Sequence, residues 1–239
     1  MKRYLLLLAL SLPMATMAQD EIPAAGPASI AYHEYRMKES VPPYGLAKVK
    51  ALITKINDSE ETTALNAKDY LGLSLREKFT YHMIHAESYS QNCDIVLPEP
   101  DEEKKIFAYL PSVFGDTHWS SRQLDFFQSN RDSVLALIKE SANRSKRTGL
   151  NYKHALMEMH AVEAIPFLAE FYQRDRKDHD ILTLLMLLMK ESRYAPFLSS
   201  ASYTKLYSKE SNYFSYLQDN KANEDLIIKR ATDFYNSRK

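Results

Sequence analysis

The chain of 239 residues carries 31 basic and 31 acidic side chains, with a single cysteine and only 5 glycines. So even a charge balance excludes the clustered basic excess that nucleic-acid phosphates require, and one cysteine excludes an internal disulfide, so stability must come from burial. Scarce glycine beside abundant Leu, Ala, Lys, Glu and Met points away from a loop-rich β sandwich and toward an all-α fold.

The first twenty residues, MKRYLLLLALSLPMATMAQD, place Lys2 and Arg3 before a leucine-rich run too short to span a bilayer, followed by Thr16 and Ala18 just before Gln19. This is the pattern of a secretory signal peptide over residues 1–18, and export to a periplasm or to the extracellular space is the expectation. No cysteine follows the apolar run and the C-terminus NSRK is charged, so neither a lipid-modified cysteine nor a GPI tail is expected, and no integral membrane segment should remain after cleavage. In a eukaryotic secretory route, Asn57 in N-D-S and Asn143 in N-R-S would be glycan acceptors.

Residues 19–30, with two prolines and a glycine, are expected to form a flexible leader, and residues 31–239 an all-helical domain. A first helix is expected from Ala31 to Glu39, stopping before Pro42 and Pro43. The next shows Leu46, Val49, Leu52, Ile53 and Ile56 at helical spacing. Asn66 can cap a third helix, with Asp69 in its first turn, running to about Glu87. On it Leu71, Leu75, Phe79, His82 and Ala86 would share one apolar stripe. The polar, proline-bearing stretch 88–100 is the longest loop and the place for a subdomain break. A short helix is expected from Asp101 to Leu110, ended by Pro111, and then a turn, VFGDTHWSS, whose serines can cap the next helix. From Ser121 onward the pattern is almost continuously helical, interrupted at RTGLN, DRKD and SKESN.

Within that half SVLALIKE (133–140), EAIPFLAE (163–170) and RYAPFLSS (193–200) superimpose at an offset of 30 residues, aligning Leu137 with Phe167 and Phe197, and Ile138 with Leu168 and Leu198. Each segment follows another apolar one: QLDFFQ, HALMEM and LLMLLM. With Pro166 near the start of EAIPFLAEFY and the acidic turn DRKDHD before the next pair, residues of about 120–200 resemble HEAT-like (armadillo-type) repeats. The resemblance implies helical hairpins stacked as a short α-solenoid that binds another protein or an extended peptide. It lacks the arginine usual after that turn, and an irregular helical bundle is the alternative.

Candidate chemistry gathers in HMIHAESYSQNC. His82 and His85 could offer two imidazoles to zinc, with Cys93, His118 or Glu87 completing the set, although the helical zinc motif spaces its histidines i, i+4 with a glutamate between. Alternatively Cys93 could act as a nucleophile with His85 or His118 as base, but Asp94 beside it disfavours a thiolate. The competing reading makes His82 a packed core residue and His85 an edge one. Trp119, in GDTHWSS, either lines a ligand pocket or staples the next helix. Tyr203, Tyr207, Tyr213 and Tyr216 form a ridge able to anchor a partner segment or simply to pack between helices. No G-x-S-x-G and no glycine-rich phosphate loop is present. The expectation is therefore an exported, non-enzymatic helical repeat protein or scaffold, without a cofactor. A small metal- or thiol-dependent hydrolase built on His82, His85, Cys93 and His118 is the alternative.

Overall fold

The structure, a computed structural model, describes residues 24–57, 63–91, 96–212 and 214–238. Residues 1–18, expected to form a signal peptide, Cys93 and Tyr213 lie outside the described residues. Those described are mostly helical: α1 (Pro27–Met37), α2 (Leu46–Asn57), α3 (Ala67–Leu71), α4 (Leu75–Ile84), α5 (Ser121–Ser129), α6 (Arg131–Ser145), α7 (Leu150–Glu158), α8 (Ile165–Gln173), α9 (His179–Glu191), α10 (Ala195–Leu198), α11 (Ala201–Tyr207) and α12 (Lys221–Asn236). Four short strands, β1 (Ser88–Tyr89), β2 (Lys105–Phe107), β3 (Thr117–His118) and β4 (Tyr216–Gln218), make two antiparallel ladders, β1 with β3 and β2 with β4. No helix among the described residues is long and apolar enough to cross a membrane.

Three local expectations are corrected. α1 begins at Pro27, inside the expected leader, because proline in a first turn loses no hydrogen bond that the helix could have used. The single helix expected from Asn66 to Glu87 is two. Asn66 does cap α3, its side chain accepting from Asp69 N, but Gly72 closes that turn and Ser74 opens α4 with a reciprocal capping box to Glu77. The break turns Leu71 and Leu75 away from Phe79 and His82, and both are exposed. The helix expected from Asp101 to Leu110 is instead a 3-10 turn at Glu102–Lys104 running into β2. Ile106 and Phe107 suit a pleated, buried strand, and β4, more than a hundred residues away, supplies the ladder, in the register Ile106 to Leu217.

The core is organised around α9, in which every residue from His179 to Met189 is buried. It is packed on by α7, α8, α10, α12 and β2. A smaller cluster of Val49, Ile56, Leu65, Tyr70, Leu73 and Tyr81 joins α2 to α3 and α4. The pairs α5–α6, α7–α8 and α9–α10 have first helices starting at 121, 150 and 179, twenty-nine residues apart each time. Pro166 and Pro196 both sit in the first turn of the second helix, in α8 and α10.

Just beyond α1, Ser40 fastens the chain to this body. Ser40 N donates to Asn151 Oδ1 (2.9 Å), Asn151 Nδ2 to Ser40 O (2.8 Å) and Gly149 N to Ser40 Oγ (2.8 Å). Glycine is required at 149, because a Cβ there would lie 2.1 Å from Ser40 N.

Candidate functional site

The histidines of HMIHAESYSQNC are engaged by protein partners. Ser120 caps α5 through a box with Gln123. The buried Gln123 amide then donates to His82 Nδ1 (2.9 Å) and to the His85 carbonyl (2.9 Å). A His82 Nδ1 that accepts leaves the proton on Nε2, which meets Tyr70 Oη at 3.1 Å. Burial, then the nearby Arg122 and Lys78 charges, hold the His82 pKa well below the usual imidazole value. Its ring lies 4.7 Å from that of Phe126. His85 donates from Nε2 to the Thr63 carbonyl at 2.5 Å. His118, exposed on β3, pairs with Ser90 Oγ at 3.2 Å. His82 and His85 thus flank Tyr81, each ring 5.3 Å from it, while no contact links His118 to either among the described residues. Among those residues no group of three His, Cys, Asp or Glu side chains is arranged to hold a metal ion.

Trp119 turns inward. Its Nε1 donates to the His82 carbonyl (2.7 Å) and its ring stands edge-on to Phe127 at 4.9 Å, fastening the start of α5 to α4. Beside it Glu87 is ionised in place: burial pulls its pKa up, but hydrogen bonds from Arg122, Ser120 (2.6 Å) and Tyr81 (2.8 Å) outweigh that and hold it below the usual carboxylate value. This corner is a packed polar knot.

The tyrosine ridge leads elsewhere. Tyr203 and Tyr207 are half-buried, with ring centroids 5.2 Å apart. Tyr207 Oη donates to the Ala108 carbonyl (2.8 Å), and its ring meets Tyr109 edge-on at 5.5 Å. Tyr216 lies 6.3 Å from Phe107 across the β2–β4 ladder. Tyr109 and Phe107 both line a cavity of about 420 Å³, so Tyr207 and Tyr216 stand one ring behind its wall. That size falls in the range of about 300–1,000 Å³ common for ligand sites.

Sequence reasoning missed this cavity. Phe107, Leu110 and Pro111 wall it, and three of the exposed large apolar side chains, Leu97 (69 %), Tyr109 (38 %) and Phe214 (46 %), rim it. Scattered exposed apolar residues are ordinary, whereas several around one concavity mark a binding surface. Its polar lining comes from Arg36 on α1, Glu102, Glu99 and Ser112. The Arg36 guanidinium lies 4.2 Å over the Phe107 ring, with Nε 3.1 Å from both Asp180 oxygens, Nη2 3.0 Å from Asp180 Oδ1 and Nη1 2.7 Å from Glu102 Oε1. Glu102 Oε2 also accepts from Glu99 N and stands 3.0 Å from His33 Nδ1.

Behind this floor the charges continue inward. The fully buried Lys153 donates to Asp178 (2.6 Å) and stands 4.0 Å from Asp180 Oδ2. Burial works against the Asp180 carboxylate, but Arg36 and Lys153 overcome it and its pKa is lowered; for Asp178, burial and the Asp180 charge together outweigh Lys153 and its pKa is raised. A buried arginine held by two carboxylates is fixed in place, so the charged floor is pinned, and the remaining walls, Val96, Leu97, Phe107, Leu110, Pro111 and Phe214, are apolar. Such an arrangement suits holding a ligand. The one local signal for it is Tyr32 and Arg36 at i, i+4 on α1; the partners Glu102 and Asp180 come from remote segments.

No family model, no curated protein and no solved structure matches this chain.

Proposed function

We propose that the protein is an exported, non-enzymatic binding protein that holds an extended apolar segment of another protein, with the rim of Leu97, Tyr109 and Phe214 as its docking surface. The observation that carries this reading is the convergence of those three exposed side chains on one cavity of about 420 Å³ with a rigid floor. The tyrosine ridge extends the surface through Tyr109, with Tyr207 and Tyr203 behind it. Export rests on the signal-like segment of residues 1–18. The HEAT-like character of the helical half is supported by the 29-residue spacing of the first helices of its three pairs and by Pro166 and Pro196 in equivalent first turns. In this reading α1, tied to α7 and α9, and the β2–β4 ladder, packed on α9, build the binding site on one side of the stack.

The test is a titration with Nile red, an uncharged dye that fluoresces in apolar sites. The mature protein should bind it, and the double variant Leu97→Ser, Phe214→Ser should bind it at least about tenfold more weakly, a loss of about 1.4 kcal/mol. Both side chains are exposed, so the melting temperature should hardly change. Equal dye affinity in the two proteins would remove the site.

A further inference from the structure

We propose that the cavity selects an uncharged occupant, the main chain of an extended apolar peptide, and that Arg36 is the donor that reads its carbonyl oxygen. This rests on the cavity being a binding site, and it adds what the ligand must be.

Hydrogen-bond valence and charge together set the choice. A guanidinium carries five N–H donors. Those of Arg36 reach Asp180 from Nε and Nη2, and Glu102 from Nη1, which among the described residues leaves one N–H on each terminal nitrogen of a side chain that lines the cavity and is 5 % exposed. A carbonyl oxygen can accept from that pair without bringing charge. A carboxylate would enter beside Glu102 and beside Glu99, whose own countercharge, Lys105, is 2.7 Å away and already committed. An ammonium would enter against Arg36, the cation that already covers the Phe107 face at 4.2 Å. Either charged ligand therefore meets a like charge beside the opposite one, Glu99 and Glu102 for a carboxylate and Arg36 for an ammonium, and loses part of its hydration on the way in, whereas a neutral carbonyl meets no repulsion. An extended peptide fits these terms. Its main chain presents neutral carbonyls at regular intervals, and its alternate side chains present apolar surface to Leu97, Tyr109 and Phe214.

The experiment uses the mature wild-type protein and three probes that share the leucyl-phenylalanine side chains: N-acetyl-leucyl-phenylalanine amide, the corresponding free acid, and leucyl-phenylalanine amide with a free amine. Binding is read from the shifts of the Phe107 and Tyr109 amide resonances. The capped, neutral probe should bind at least about tenfold more tightly than either charged one, a difference of about 1.4 kcal/mol. Equal binding of all three, or tighter binding of the acid or the amine, overturns the selectivity while leaving the site standing. Failure of all three at millimolar concentration overturns the site itself. Octanamide binding as tightly as the capped dipeptide would overturn the peptide as occupant in favour of a plain aliphatic chain. The variant Arg36→Lys keeps the charge but loses the paired donors, and should narrow the preference for the neutral probe; an unchanged preference would remove Arg36 from the role.

Discussion

Lowering the pH from 7 to 5.5 should destabilise the protein through His82, and the size of the effect comes from its surroundings. The ring is buried, with Nδ1 accepting from Gln123 and Nε2 against Tyr70 Oη, and burial, followed by the charges of Arg122 and Lys78, depresses its pKa. An imidazole with a folded-state pKa below its unfolded value near 6.5 takes up protons first in the unfolded chain. Its contribution is therefore complete above about pH 6.5 and is lost as the pH falls toward the folded pKa. For a group that stays neutral in the folded state down to pH 5.5, the linkage amounts to about 1.3 kcal/mol over that interval. Trp119, the only tryptophan, donates to the His82 carbonyl, so urea unfolding followed by its fluorescence reports on this corner directly. The variant His82→Gln should be less stable at pH 7 by about 1–3 kcal/mol, from lost ring packing, but should lose about 1.3 kcal/mol less than wild type on going to pH 5.5. His154, whose pKa is also lowered mainly by burial, acts in the same direction in both proteins and cancels from the difference. An identical pH response in wild type and His82→Gln would refute the reasoning.

The buried ion network makes a second prediction. Lys153→Met strands Asp178 and should cost about 3–5 kcal/mol in urea unfolding, whereas Lys153→Met with Asp178→Leu should recover most of that loss, because a paired charge contributes little beyond its own desolvation. The two capping boxes make a third. Ser74→Ala, at an exposed cap, should cost about 1 kcal/mol, and Ser120→Ala measurably more, since the Ser120 hydroxyl also serves the buried Glu87 carboxylate at 2.6 Å. Equal losses at the two serines would mean that the Glu87 contact adds nothing.

Features set by neighbouring residues are legible in the sequence. Asn66 and the serine before α5 are caps because their partners lie three residues on, and the LLMLLM run could only be a helix enclosed by others. The break between α3 and α4 is equally local, as Ser74 and Glu77 have capping-box spacing, but the apolar periodicity across Gly72 conceals it. β2 reads as a helix because its pairing energy comes from Tyr216 to Gln218, which no window around residue 105 contains. The cavity is invisible for the same reason. Arg36 looks like a surface residue until Asp180 and Glu102 arrive from remote parts of the chain, and Leu97 and Phe214 look like strays until they share a rim. His82 draws attention for its chemistry, and its type is the misleading part: the proton on that ring answers to Gln123, forty-one residues away.

The docking role of the cavity is tested most directly by placing a photo-crosslinking amino acid at position 97, on the rim, and in parallel at position 71, on α3 and outside the cavity lining, where the native leucines are similarly exposed (69 % and 73 %). The two proteins are then irradiated in the cells that make them. If the rim is the docking surface, a discrete protein adduct forms at position 97, is absent at 71, and fades when the capped leucyl-phenylalanine amide is added. The same adducts from both positions, or an adduct at 97 that the neutral peptide does not displace, would contradict it.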